Sequence, residues 1–167
     1  MRALITYGSK NGSTAGLATM IGDALELRDI HAEVRPARAV GPVDSYDAVI
    51  VAGALYAGRW HRDARRFVAR NERALREVPV WLVSSGPLDD SAKTGQLPPV
   101  SQVAKLATRV HARGVMTFGG RLATDAAGFM ARAMAKTKAG DWRDSDQVAE
   151  LSVRVATDLG KIEAMKA

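Results

Sequence analysis

The stretch "ITYGSKNGST", residues 5–14, carries an apolar run straight into a cluster of Gly, Ser, Asn and Thr. "RALITY" (2–7) has the composition of a buried strand. "AGLATMIGDALEL" (15–27) has the period of a helix: Leu17, Met20, Ile21, Ala24 and Leu25 fall at i, i+3, i+4, i+7 and i+8, on one face. The junction is a strand-to-helix loop crowded with small hydroxyls and glycines.

The same alternation recurs along the chain. Strands are predicted at 2–7, 31–36, 47–53, 79–85 and 114–119. "AVIVAG" (48–53) and "VWLV" (80–83) are continuously apolar rather than alternating, as in strands buried on both faces. Helices are predicted at 61–77, marked by Phe67, Val68 and Leu75, at 98–112, and at 145–164, where Val148, Leu151, Val155, Leu159 and Ile162 form the stripe. Five strands alternating with helices predict an α/β protein: a parallel sheet covered on both faces by right-handed crossovers. At 167 residues, with no linker or repeat, the chain reads as a single domain spanning 1–167. Its loosest stretch is "SSGPLDDSAKTGQLPP" (84–99), a long polar loop of the functional kind.

Composition removes several chemistries. With no cysteine there is no disulfide, thiolate nucleophile or Cys-ligated metal, and three scattered histidines do not suggest a His-rich site. No Ser–His–Asp set or carboxylate pair is arranged for hydrolysis. No secretion signal and no membrane-spanning run is visible, which predicts a cytoplasmic location. A net charge of +6 points to anionic partners. The aromatic content of 5%, without basic–aromatic interleaving or a DNA-reading motif, leads us to expect no nucleic-acid partner.

In an open parallel sheet, ligands sit beyond the carboxyl ends of the strands. There Ser9, Asn11, Ser13 and Thr14 offer hydroxyl and amide donors, and Gly8 and Gly12 let the backbone approach a ligand. The following helix adds free N–H groups and a favourable dipole for a phosphate. The loop is neither GxxxxGK[ST] nor GxGxxG. By itself it stands between two readings: a phosphate cradle, or a helix start capped by Ser13 or Asn11.

A family resemblance bears on that choice. "TYGSKNGST" (6–14), behind a first strand, resembles the phosphate loop of flavodoxin-like proteins. "YDAVIVAGALYAGRWHRDARRFV" (46–68), "TFGGRL" (117–122) and "GDWRDSDQVAEL" (140–151) resemble the flavodoxin-domain group that includes flavodoxin-like protoporphyrinogen oxidase. The resemblance implies a three-layer sandwich around a five-stranded parallel sheet in the order 2-1-3-4-5, with FMN at the strand ends. It implies that Ser9, Lys10, Asn11, Gly12, Ser13 and Thr14 hold the FMN phosphate. The loop with Ala54, Leu55, Tyr56, Ala57, Gly58 and Trp60 would lie on one side of the isoalloxazine, and Ser85, Gly86 and Pro87 on the other. Tyr56 and Trp60 are the stacking candidates, beside the alternative that they are ordinary packing aromatics. His61 is either a proton carrier near the ring or a polar first-turn residue. Residues 84–100 differ from the long insertion of the oxidase group, so the resemblance reaches the fold rather than that substrate.

Two basic segments depart from the acidic surface usual in electron-shuttling flavodoxins. Arg59, Arg62, Arg65, Arg66, Arg70, Arg73 and Arg76 crowd residues 59–76. This is either a solvated helix surface or a docking face for an anionic partner. In 121–142, an apolar stripe of Ala126, Phe129, Met130, Ala133 and Met134 runs beside Arg132, Lys136 and Lys138. That stripe is core filler, a lid over a small hydrophobic substrate, or a peripheral membrane contact. The resulting expectation is a flavodoxin-like redox protein serving a partner protein or hydrophobic substrate. Its cofactor is FMN or, alternatively, a deazaflavin coenzyme whose polyglutamate tail would meet the arginines. The competing expectation is a non-catalytic module that binds a phosphate ligand or nucleic acid.

Overall fold

Residues 1–10, 12–93, 97–124 and 129–166 are described by the computed structural model. Each buried strand presents alternate residues to opposite faces, and helices cover both. The parallel strands are β1 (Arg2–Gly8), β2 (His31–Pro36), β3 (Ala48–Tyr56), β5 (Val80–Ser85) and β6 (Gly114–Phe118). They lie in the order β2-β1-β3-β5-β6.

One face carries Ala3 and Ile5 of β1, Ala48, Ile50 and Ala52 of β3, and Trp81 and Val83 of β5. It packs on α1 (Ser13–Glu26) through Leu17, Ile21 and Leu25, and on α6 (Ser145–Lys166) through Val148, Leu151, Val155 and Leu159. The other face, with Leu4, Val49, Val51, Val80 and Leu82, packs on α2 (Arg62–Arg70), α3 (Glu72–Leu75) and α4 (Ser101–Arg109) through Ala64, Phe67, Val68, Leu75, Val103 and Leu106. These are three layers. Burial of each large side chain contributes roughly 1.5–3 kcal/mol. The turn that follows α1 is joined to α6 by Arg28 Nε, which donates to Ser152 Oγ at 2.8 Å.

The expected five-stranded sheet needs correction. The sheet has six strands, because the chain leaving β3 folds straight back as β4 (Arg59–Trp60), antiparallel to it, pairing Leu55 with Trp60 and Tyr56 with Arg59. Ala57 (φ 47°) and Gly58 (φ 72°) make the turn, and two successive positive φ values match the twist of a tight hairpin. A separate two-stranded ribbon joins β7 (Arg121–Leu122) to β8 (Gly140–Asp141). The helix expected over 61–77 is divided at Asn71, whose side chain donates to Phe67 O at 3.0 Å.

The expected stripe near α5 (Phe129–Lys138) is also corrected. Ala133 and Met134 are exposed, whereas Ala131 and Ala135 pack with Leu88 and Leu122. Ala126 and the side chains of Phe129 and Met130 lie outside the described residues.

Candidate functional site

The carboxyl ends of the central strands meet in a row of small residues: Gly8 beside Gly53, Gly53 beside Ser84, and Ser84 beside Thr117. Beyond that row the loops diverge.

The first loop leads to α1 through Gly12, which takes φ 79° at the helix N-cap position. Among the described residues no side chain caps α1, and the first-turn N–H groups of a helix have no intrahelical partners. Ser13 does not serve as the expected cap: its Oγ instead accepts the N–H of Arg121 at 2.7 Å, tying β7 to the start of α1. Ser9 Oγ accepts the N–H of Gly12 at 3.1 Å and shapes the loop from within. Each of these hydroxyls keeps its own proton to donate outward. Thr14 is fully buried, and its Oγ1 has no hydrogen-bond partner among the described residues. Asn11 lies outside the described residues.

The second loop is the β3–β4 hairpin. Tyr56 is 40% exposed, and its hydroxyl oxygen accepts the N–H of Lys10 at 3.3 Å, joining this loop to the first. Ala57 and Gly58 are exposed at the tip, while Ala54 is buried. Trp60 is corrected as a stacking candidate. It is 1% exposed, with its indole against Gly53 where a Cβ would stand and its Nε1 donating to Val83 O at 3.3 Å. The ring fills the core, because Gly53 leaves a slot on that side of β3.

The third loop starts at Ser85, which is buried and paired with Ala54 across the sheet. Gly86 rests against Leu55, where an added Cβ would come within 2.7 Å of the Leu55 Cβ. The two loops expected on opposite sides of a ring therefore touch at their base. Gly86 N–H donates to Phe118 O at 3.1 Å, and Pro87 O accepts the N–H of Gly120 at 2.8 Å, fastening this loop to the end of β6.

Two residues here went unrecognised in the sequence. Trp142 is half-buried. Its N–H donates to Gly120 O at 2.9 Å, its ring lies on Gly140, and its carbonyl occupies the space a side chain at Gly119 would need. Arg143 lies with its guanidinium on Gly16 in α1, where Nε and Nη2 donate to Asp141 at 2.8 and 2.5 Å. The pairing holds the Asp141 carboxyl below its ordinary pKa. The signal for both was glycine: "GG" at 119–120 and Gly140 directly before "DWR".

His61 begins the turn into α2. Its ring sits over Gly8 and 6.2 Å from the Tyr56 ring, and its Nδ1 accepts the N–H of Asp63 at 3.2 Å. It is thus the N-cap of α2. Burial lowers its pKa first; Asp63 opposes this, and Arg62 and Arg65 add to it. The imidazole is accordingly neutral at pH 7. Lys10, Arg59, Arg62 and Arg121 are exposed around these loops. A groove of about 1080 Å³, lined by Asp47, Pro79, Arg113 and Leu159, opens at the opposite end of the sheet. It lies away from the strand ends where open parallel sheets bind ligands.

Three layers around a parallel sheet, with a left-handed glycine directly ahead of the first helix, define a three-layer α/β protein. The chain belongs to the flavodoxin-domain family, whose model matches residues 4–144. Solved structures agree in fold. A flavodoxin from the domain Archaea is 12% identical with a TM-score of 0.62, over 96% of this chain and 99% of that one. A flavodoxin of Streptococcus pneumonia TIGR4 is 16% identical with a TM-score of 0.62, over 95% and 99%. The rubredoxin oxygen:oxidoreductase of Desulfovibrio gigas is 13% identical with a TM-score of 0.63, over 96% of this chain and 36% of that one. No protein of curated function matches the chain in sequence.

Proposed function

We propose that the chain is a single flavodoxin-like domain, acting in the cytoplasm, that binds FMN and exchanges electrons with a redox partner protein. The observation that carries this reading is the start of α1. Gly12 turns through positive φ and, among the described residues, no side chain caps the helix and the buried Thr14 Oγ1 has no partner. A buried hydroxyl without a partner is costly, and a phosphate oxygen at the helix start is a natural acceptor for it. These residues fit the phosphate of FMN.

Ser9, Lys10, Gly12, Ser13 and Thr14 hold the phosphate, with Asn11 as the sixth member of the loop. Ser9 and Ser13 donate the hydroxyl protons left over from their own contacts. Tyr56 offers a half-exposed aromatic face, and Ala57, Gly58, Gly86 and Pro87 line the approach with small or rigid residues. Ala54, Leu55 and Ser85 support them from below. Trp60 holds the hairpin from the core. FMN, when bound, supplies one- and two-electron chemistry. His61, neutral and anchored to Asp63, maintains the wall between Gly8 and Tyr56.

Titration of the purified chain with FMN, riboflavin and a polyglutamylated deazaflavin tests the reading. FMN is expected to bind at least about tenfold more tightly than riboflavin, the discrimination that one charge-assisted hydrogen bond supplies. Equal affinities would remove the phosphate cradle. Preference for the deazaflavin would replace FMN as the cofactor.

A further inference from the structure

Seven arginines between residues 59 and 76, against Asp63 and Glu72 alone, place +5 of the chain's net +6 in one segment. Two have local roles and a third is partly buried. Arg70 donates to the carbonyls of Ala37 and Val40 at 2.6 and 2.9 Å, Arg76 pairs with Glu72 and donates to Arg109 O, and Arg65 is half-buried. Arg59, Arg62, Arg66 and Arg73 are exposed. Arg62 reaches Asp63 only at 4.0 Å, and Arg59, Arg66 and Arg73 have no carboxylate partner among the described residues. Folding does not call for this arrangement. Cations in the first turns of α2 oppose the helix dipole, and Arg62 and Arg66 repel one another at i, i+4.

The hairpin links these charges to the loops at the strand ends. Arg59 stands opposite Tyr56 in the β3–β4 pair, and Tyr56 in turn accepts the N–H of Lys10. Lys10, Arg59, Arg62 and Arg66 therefore run from the loop edge onto α2. The tip between them, Ala57–Gly58, is exposed and small, allowing another protein surface to come close.

We propose that this edge is the docking surface for an acidic electron-carrier protein whose redox centre lies under its acidic patch. The proposal rests on the FMN reading for its redox role, not for the docking itself. Complementary charge steers such a partner and fixes its register. With FMN held as proposed, a productive encounter would pass one electron from the carrier's reduced centre, which is oxidised by one electron, to the flavin, which is reduced by one. A membrane is a poorer match: the outward side of α2 offers Arg62, Arg66, Ala69 and Arg70, with no large apolar anchor. Nucleic acid is poorer too, because Tyr56 is the one exposed aromatic along the track among the described residues.

The test uses the full chain, both apo and FMN-loaded. A plant-type [2Fe–2S] ferredoxin serves as acidic probe and cytochrome c as basic probe, and association is measured at about 20 and about 200 mM salt. Ferredoxin binding is expected to weaken at least about tenfold across that range, with no detectable binding of cytochrome c. The triple variant Arg59→Glu/Arg62→Glu/Arg66→Glu should reverse the preference in both forms. Arg113→Glu/Lys161→Glu/Lys166→Glu makes the same charge change near the opposite end and should behave as wild type. Equal losses in the two triples, or ferredoxin binding indifferent to the first, would overturn the proposal. So would tighter binding to phosphatidylserine vesicles or duplex DNA than to ferredoxin. Because association is read on the apo chain as well, a failure to bind FMN would sink the proposed function while leaving the docking result standing.

Discussion

The hydroxyl oxygen of Tyr56 accepts the main-chain N–H of Lys10 at 3.3 Å, joining two loops 46 residues apart. Through this contact the β3–β4 hairpin sets the position of the first loop. Tyr56→Phe removes the acceptor and keeps the ring. Stability should fall by about 1 kcal/mol, as read by urea denaturation, and FMN should bind more weakly. If stability and FMN affinity both stay unchanged, the two loops are positioned independently.

Thr14→Val is expected to have opposite effects with and without ligand. In the apo chain the substitution replaces a buried hydroxyl that lacks a partner among the described residues with a methyl group of the same shape, so stability should rise by about 1 kcal/mol. FMN affinity should fall roughly tenfold, because the same oxygen is the proposed phosphate contact. Thermal melts of the apo protein and a flavin titration read the two effects separately. A variant that is destabilised in both states would show that the hydroxyl has an acceptor inside the protein.

Glycines in the hairpin region separate steric cost from backbone cost. At Gly53 an added Cβ would collide with the Trp60 indole, while at Gly58 it would meet nothing within 4 Å. Gly53→Ala should displace Trp60 and cost roughly 3 kcal/mol, the upper range for overpacking. Gly58→Ala should cost about 1 kcal/mol, purely from its positive φ. Chemical denaturation ranks the pair. The reverse ranking would mean that the Trp60 side chain has room to move.

Acid should act through His61. Its pKa in the folded chain lies below the ordinary value, chiefly because it is buried. As pH falls below the unfolded-chain value of about 6.5, the unfolded state takes up the proton first. The stability contributed by the neutral imidazole is therefore present at pH 7 and lost as pH falls through the folded pKa, where protonation also removes the acceptor for Asp63 N–H. His61→Asn retains a capping side chain without the titration. The wild type should lose more stability between about pH 7 and 5 than this variant. Parallel pH profiles would clear His61 of any part in acid sensitivity.

The layers were legible wherever a segment's own periodicity decides its structure. "AVIVAG" and "VWLV" became β3 and β5, buried on both faces, and the stripe of Leu17, Ile21 and Leu25 became the inner face of α1. Features that depend on a distant neighbour were not legible. Trp60 and Trp142 both stand in polar, glycine-bearing stretches, yet a slot over Gly53 draws Trp60 into the core while Trp142 closes over Gly119 and Gly140. The hairpin turn was obscured because Ala57, rather than Asn or Asp, occupies its first positive-φ position. Ser13 looked like a cap, but the N–H of Arg121, 108 residues away, claims its oxygen. β7 and β8, at two residues each, carry no periodic signal at all.

That last pairing has a bearing on order of assembly. Ser13 meets Arg121, and Gly16 lies under Arg143, so the opening turn of α1 is buttressed by residues more than a hundred positions further along the chain. During synthesis the loop ahead of α1 leaves the ribosome early but lacks these contacts until more than a hundred further residues emerge. The start of α1 is thereby expected to settle only once β7 and β8 have been made.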